Sequence, residues 1–244
     1  MTGEWVEWIA NLNVRYVLLI SAAITLVRVG LAPLPSPRVR WFNELLESAV
    51  LAFILVFLVI RPFVVQAFYI PSGSMRPTLL EQDRLLVDKF TLRFREPMFG
   101  DILVFKAPPE ADLRQIDFIK RCVGVPGDVI EIRDGVLYRN GKPVKEPYIS
   151  RPPEYDLKVI AGRVYAIDMY GRVQENGQLI LDPHQEGYIR EAPSDRIPPG
   201  KLLMLGDNRP DSNDSHKWGL LDRRRVVGKA WVLFWPPQRI RIVR

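Results

Sequence analysis

The residues able to do covalent or metal chemistry in this sequence are few. Among its 244 residues are one cysteine, Cys122, and two histidines, His184 and His216. A lone cysteine excludes an internal disulfide framework and a cysteine-clustered zinc site, and two histidines leave no multi-histidine metal centre. A Ser-His-Asp triad would need one of those histidines. His216 follows Asp214 and Ser215, but side chains one or two positions apart usually point in different directions, and a triad is assembled by geometry rather than adjacency. Serine activated by lysine is the alternative. A free lysine titrates at about 10.4 and is nearly all charged at neutral pH, whereas burial among apolar side chains disfavours the charge and lowers that value. The base should therefore sit in an apolar strand. Lys120 does, after Phe118-Ile119 and before Arg121-Cys122-Val123. The plainer reading is an edge strand with Lys120 on its solvent face, and Arg121 beside it means that one of the two must face something polar.

Serine candidates lie in Ile70-Pro71-Ser72-Gly73-Ser74-Met75-Arg76-Pro77-Thr78-Leu79. Ser-Gly-Ser supplies hydroxyls on a flexible backbone that can aim N–H groups at a developing oxyanion, although a domain-entry turn favours the same residue types. A polar loop, Gly206 to Ser215, follows the apolar strand Leu202-Leu203-Met204-Leu205.

The elements that must position these residues divide into an apolar front end and a polar remainder. Overall, 48% hydrophobic and 25% charged residues describe an ordinary folded protein. Up to residue 70, however, the only charged side chains are Glu4, Glu7, Arg15, Arg28, Arg38, Arg40, Glu44, Glu47 and Arg61. Between them lie Tyr16–Val27 and Ser48–Ile60, each short of the roughly 20 residues that cross a bilayer. If the flanking charges snorkel, Leu12–Leu34 and Leu45–Val65 become long enough, with Trp5, Trp8, Trp41 and Phe42 as interfacial aromatics. A cleaved signal peptide should open on basic residues, and this chain opens on Glu4 and Glu7. A pair of core helices should carry a charged face, and Ala49–Ile60 has none. Residues 1–66 are thus expected to form an anchor of two membrane helices. Arg28, Arg38 and Arg40 put their connection in the cytoplasm, with the N-terminus and the C-terminal domain outside.

Residues 67–244 read as a mainly β domain of many short antiparallel strands. The runs are Arg84–Asp88, Asp101–Phe105, Phe118–Val125, Asp128–Ile132, Val136–Tyr138, Lys201–Leu205 and Val226–Trp235. Turn signals separate them, and Asp134-Gly135 and Asn140-Gly141 predict tight hairpins. Residues 146–199 read less regularly, as a smaller insert. Trp231 to Pro237 is an aromatic strand that by itself reads as core. A net charge of +6, spread diffusely, does not argue for nucleic acid.

Taken together, these segments resemble type I signal peptidase, the membrane-anchored Ser/Lys protease that removes signal peptides from exported proteins. The ordered set carries the resemblance: Ser72-Gly73-Ser74-Met75 with Pro77-Thr78-Leu79, then Gly100 to Phe105. Asp117 to Arg121, Gly124 to Asp128 and the Gly206–Ser215 loop follow. It implies a mainly β, antiparallel catalytic domain with the signal peptidase and repressor-protease fold, preceded by two transmembrane helices. Ser74 would be the nucleophile and Lys120 the general base. Ser72 would join the Ser74 N–H in the oxyanion hole, Ser212 would orient the Lys120 amine, and Asp214, Asp207 and Arg209 would brace the loop. Ile70, Pro71, Met75, Leu79, Phe118 and Ile119 would form shallow pockets selecting an Ala-x-Ala end, unless they are ordinary core. The resemblance implies no metal or organic cofactor, preproteins and membrane lipids as partners, and a plasma or thylakoid-type membrane. It also implies that the tip of the aromatic strand dips into lipid. Where the family often has Arg, this chain has His216 followed by Lys217. His216 would then pair with Asp214 only when protonated, or Lys217 would replace it. Two other readings compete: a self-cleaving repressor-type protease, against which the apolar spans argue, and an inactive tethered β domain that binds signal peptides or partners. Only a catalyst needs Ser74, Lys120 and Ser212 together.

Overall fold

The computed structural model describes residues 14–34, 36–60 and 64–243. The chain divides into two units, Met1–Ala67 and Phe68–Arg244. In the first, helix α1 (Val14–Leu31) and helix α2 (Pro37–Ile54) form a hairpin, and α2 continues through π-helical Leu55–Ile60. Ser36 and Pro37 begin α2, where a proline's missing N–H leaves no helical bond unmade. Arg28 of α1 pairs with Glu47 of α2, so two charges inside the apolar hairpin satisfy each other.

Among the described residues, Pro37–Leu58 is the one helix long and apolar enough to cross a membrane. Its 22 residues rise about 33 Å, close to the hydrocarbon thickness. This stretch begins eight residues before the expected Leu45, because Arg38, Arg40, Glu44 and Glu47 are accommodated within the helix. It does not reach Val65, which already belongs to a strand. Of the expected first span, Leu12 and Asn13 lie outside the described residues, as do Trp5 and Trp8.

The strands of the second part run, in chain order, β1 (Val65–Tyr69), β2 (Arg84–Asp88), β3 (Ile102–Lys106), β4 (Asp117–Gly124), β5 (Ile130–Arg133), β6 (Val136–Arg139) and β7 (Lys142–Pro143). They continue with β8 (Tyr155–Ile160), β9 (Arg163–Asp168), β10 (Val173–Glu175), β11 (Gln178–Leu179), β12 (Lys201–Leu205), β13 (Leu221–Asp222), β14 (Val226–Trp235) and β15 (Arg241–Ile242). Helix α3 (Pro183–Glu191) follows β11, and the one-turn helix α4 (Ser215–Trp218) follows β12. The domain is mainly antiparallel β, in two sheets. One has the order β1-β2-β14-β3-β4-β12-β13 with β15 beside β14, and the other β11-β10-β9-β8-β5-β6-β7.

Local sequence explains most of this. Asp134-Gly135 and Asn140-Gly141 take positive φ at both positions and close the β5–β6 and β6–β7 hairpins, as their turn chemistry predicts. Residues 146–199, read as less regular, contain β8 to β11 and α3, and β8 extends the second sheet by pairing with β5. Lys158 within β8 obscures its alternation: its ammonium serves the last carbonyls of α3, at Ile189, Arg190 and Ala192.

In the first sheet β3 is buried on both faces. Ile102 and Val104 pack with Ile70, Met75, Leu79 and Leu85, while Leu103 and Phe105 pack with Cys122, Met204 and Trp218. The neighbouring β4 pairs with β3 through Leu103 opposite Lys120, and with β12 through Leu205 opposite Arg121. The loop leaving β12 therefore emerges beside Lys120. In β14, Ala230 and Leu233 are buried while Trp231 and Trp235 stay about half exposed.

Candidate active site

Three segments converge. Ser74 lies in a single 3-10 turn, Gly73–Met75, whose Met75 is fully buried and anchors the turn to the core. Lys120 comes from the middle of β4, and its Nζ donates to Ser74 Oγ at 2.7 Å. Ser72 is exposed, with its Oγ 3.4 Å from Ser74 Oγ. The loop after β12 fixes the turn from the other side: Asn208 N–H donates to Ser74 O at 3.1 Å and Asn208 Nδ2 to Gly73 O at 3.2 Å.

The Lys120 side chain sits in the sheet, and the residue is 4% exposed. Burial lowers its pKa from 10.5 to about 8, against the opposing pull of the Asp214 and Asp207 carboxylates. An amine so placed is neutral often enough near neutral pH to accept a proton. The plainer reading of an edge strand with Lys120 on its solvent face does not hold, since β4 is central and both Lys120 and Arg121 are buried. Each faces its own polar partner instead. Arg121 donates Nε and Nη2 to Asp207 at 2.8 and 2.7 Å and Nη1 to Gly100 O at 3.0 Å. Thr78 Oγ1 donates to the same Asp207 carboxylate.

Gly206 is the hinge of the loop. Its N–H donates to Asp214 Oδ2 at 2.9 Å, and its carbonyl accepts from Arg209 Nε at 3.1 Å. No side chain fits there: a Cβ would lie 2.5 Å from Ser74 O and 2.2 Å from Ser212 Oγ. Asp214 is fully buried. Burial opposes its ionisation, but His216 and the Gly206 N–H outweigh it and hold the carboxyl below its ordinary value. Ser212 itself does not meet the expectation that it bonds Lys120. Its Oγ is buried between Gly206 and Asp214 with no partner in hydrogen-bonding geometry. Arg209 pairs through Nη1 and Nη2 with Glu146, a residue not anticipated from sequence.

Beside the dyad opens a groove of about 400 Å³. Pro71, Phe118 and Ile119 line it as expected, together with Ala111, Ile116 and Asn213. Ile70, Met75 and Leu79 do not. They are buried in the core with Leu85 and Val87, Ile70 from the segment leading into the Ser74 turn and Met75 and Leu79 from the residues that follow it. A serine and an amine at hydrogen-bond distance, with this groove alongside, can form and hydrolyse an ester of an extended peptide.

The family model described as signal peptidase, peptidase S26, matches residues 42–235, which contain every segment of the site. The chain belongs to the signal peptidase family. It is 35% identical over 212 residues to a probable signal peptidase I-1 of Synechocystis sp., covering 85% of this chain and 89% of that one. To the signal peptidase I of Leptolyngbya laminosa it is 37% identical over 210 residues, 84% of this chain and 83% of that one. Thylakoidal processing peptidase 1, chloroplastic, of Arabidopsis thaliana is 32% identical over 213 residues, 82% of this chain and 52% of that one.

Within this signal peptidase family chain, the histidine after Asp214-Ser215 has a clear structural place. His216 Nδ1 lies 2.7 Å from Asp214 Oδ1, and its ring stacks on Tyr155 at 4.5 Å between centroids. Protonation is not required for the contact, because a neutral tautomer with hydrogen on Nδ1 can also donate to the carboxylate. Lys217 is exposed and takes no part in it. Asp214 and His216 are therefore bonded, yet they form no triad with Ser215. That hydroxyl is buried and accepts from the Met204 N–H at 2.9 Å.

Proposed function

We propose that this chain cleaves N-terminal signal peptides from exported preproteins with Ser74 as nucleophile and Lys120 as general base. Family membership makes it a serine endopeptidase of signal peptide processing. The 2.7 Å contact between a buried amine and the Ser74 hydroxyl carries the assignment of the two residues.

Neutral Lys120 takes the proton as Ser74 Oγ attacks the scissile carbonyl. The oxyanion of the tetrahedral intermediate is received by the Ser74 N–H and the Ser72 hydroxyl. Collapse breaks the C–N bond, Lys120 returns the proton to the departing amine, and the signal peptide remains as an ester on Ser74. A water then gives its proton to Lys120 and attacks the ester. Lys120 passes that proton to Ser74 Oγ as the ester C–O bond breaks, releasing the peptide acid and free Ser74. Pro71, Ala111, Ile116, Phe118 and Ile119 give the groove the apolar character suited to small side chains of an Ala-x-Ala end.

In the same reading α1 and α2 are two membrane spans, with their connection and the first turn of α2, which carries Arg38 and Arg40, at the cytoplasmic face and the catalytic unit on the far side. The length and apolar character of Pro37–Leu58 support one span. Exposed Trp231, Trp235, Ile240 and Ile242 on and beside β14 and β15 favour contact with lipid. The bilayer is a plasma membrane or one of thylakoid type, and similarity to a thylakoidal peptidase supports the latter.

The test is cleavage of a preprotein with an Ala-x-Ala signal by the detergent-solubilised full chain. Ser74→Ala and Lys120→Ala should each abolish it while circular dichroism stays unchanged. Cleavage retained by either folded variant at near the parent rate would overturn the dyad.

A further inference from the structure

Glu146 and Tyr148 flank Pro147 in a stretch that carries no catalytic motif, yet both side chains end in the active-site support. The Glu146 side chain is 5% exposed and accepts both terminal nitrogens of Arg209, itself fully buried. Tyr148 hydroxyl donates to Glu146 Oε1 at 2.8 Å. Its ring meanwhile lies against a different guanidinium, with Arg121 Cζ 3.8 Å from the ring centroid. One tyrosine thus joins two buried ion pairs, Arg209–Glu146 and Arg121–Asp207. Burial and the Glu146 carboxylate push the Tyr148 phenol well up, so that it remains a donor at any working pH.

Both pairs end on the backbone that holds the reacting groups. Arg209 grips the Gly206 carbonyl, and Asp214 grips the N–H of the same residue. Gly206 in turn abuts Ser74 O. Asp207, next in the chain, fixes Arg121 beside Lys120, and Asn208 pins the Ser74 turn twice. A guanidinium at such depth has no water to turn to, so its carboxylate partner fixes where it sits.

We propose that Glu146 and Tyr148 are positioning residues of the hydrolysis, a strap that aligns Ser74 with Lys120 through Arg209 and Arg121. The proposal rests on the Ser74 and Lys120 assignment. Neither residue lines the groove beside the dyad, so their loss should reduce kcat and leave KM nearly unchanged.

The experiment compares Glu146→Gln and Tyr148→Phe with the parent full chain in detergent, each assayed well below its own Tm on a peptide with an Ala-x-Ala cleavage site. Glu146→Gln should lower kcat by about 100-fold, the effect of a misalignment near 1 Å, with KM within about twofold. Tyr148→Phe keeps the ring on Arg121 and loses one bond to a charged group, for about a tenfold loss of kcat. Val164→Ala, in the core of the second sheet, serves as a control that lowers Tm without touching the strap, and it should keep the parent kcat. Parent-like kcat in Glu146→Gln, or an equal loss in the control at matched destabilisation, overturns the proposal. If Glu146→Gln fails to fold, Tyr148→Phe decides alone: a kcat within twofold of the parent overturns it. Ser74→Ala run in parallel separates the failures. Activity in that variant removes the dyad, whereas an inactive Ser74→Ala beside a fully active Glu146→Gln removes only the strap.

Discussion

Lys120 Nζ stands 2.7 Å from Ser74 Oγ across 46 residues of chain, and the lysine approaches from inside the sheet rather than from solvent. The fold makes that approach possible. β4 is a central strand flanked by β3 and β12, so a long side chain in its middle must end among neighbours. The same burial that depresses the amine brings it to the Ser74 hydroxyl.

The pH dependence follows from that burial. With Lys120 near 8, only the neutral amine can act as the base, so the active fraction grows with pH. Measured kcat/KM should rise about tenfold per pH unit below 8 and level off above it. A profile flat from about pH 5 to 9 would assign the base to another group.

Stability should run the same way. A folded-state pKa below that of the unfolded lysine means that folding disfavours the proton. The full cost is present below about 8 and disappears above the unfolded value of 10.5. The shift corresponds to about 3 kcal/mol. Lys120→Met should therefore be inactive yet more stable at neutral pH by about 2 kcal/mol, once about 1 kcal/mol for the lost serine bond is deducted. Urea unfolding at pH 7 and at pH 10.5 checks both the gain and its disappearance.

Lys120 and the Ser72-Gly73-Ser74 run stand out locally, as a lysine inside an apolar run and two serines around a glycine just past an apolar segment, but the family resemblance singles out Ser74 and Lys120 as the pair. Asn176-Gly177 is a turn signal of the same kind as Asn140-Gly141 and does join β10 to β11. Ala161-Gly162 turns the chain between β8 and β9 without such a signal, which hid the second sheet's extent. Glu146 was illegible for a different reason. A carboxylate in a polar stretch reads as solvated, and its partner Arg209 lies 63 residues away. Ile70, Met75 and Leu79 illustrate the converse limit. A groove for small side chains and a core both call for apolar residues, and only packing distinguishes them.

The buried pair of Arg121 and Asp207 should be far costlier to break than to replace. Asp207→Asn leaves the Arg121 charge at 3% side-chain exposure without its carboxylate, for a loss of about 3–5 kcal/mol. Replacing both, in Arg121→Met with Asp207→Leu, removes the stranded charge and should recover much of that loss. Chemical denaturation of the two variants and of each single change gives the coupling directly. A single variant as stable as the parent would mean that water reaches the pair.

Gly206 allows activity and stability to be separated at one position. In Gly206→Ala the new methyl meets Ser212 Oγ and Cβ at 2.2 and 2.7 Å and Ser74 O at 2.5 Å. A serine side chain can rotate away, but a backbone carbonyl moves only with its own turn, and that turn carries the nucleophile. Gly206→Ala should therefore lose about 1–3 kcal/mol to overpacking and about 100-fold in kcat to misplacement of Ser74. Adding Ser212→Gly clears the side-chain clash while leaving the one with Ser74 O. The double variant should regain part of the stability with no recovery of kcat. Thermal unfolding and steady-state kinetics on the same preparations distinguish the two contacts. Recovery of kcat in the double variant would locate the damage at Ser212 rather than at the Ser74 backbone.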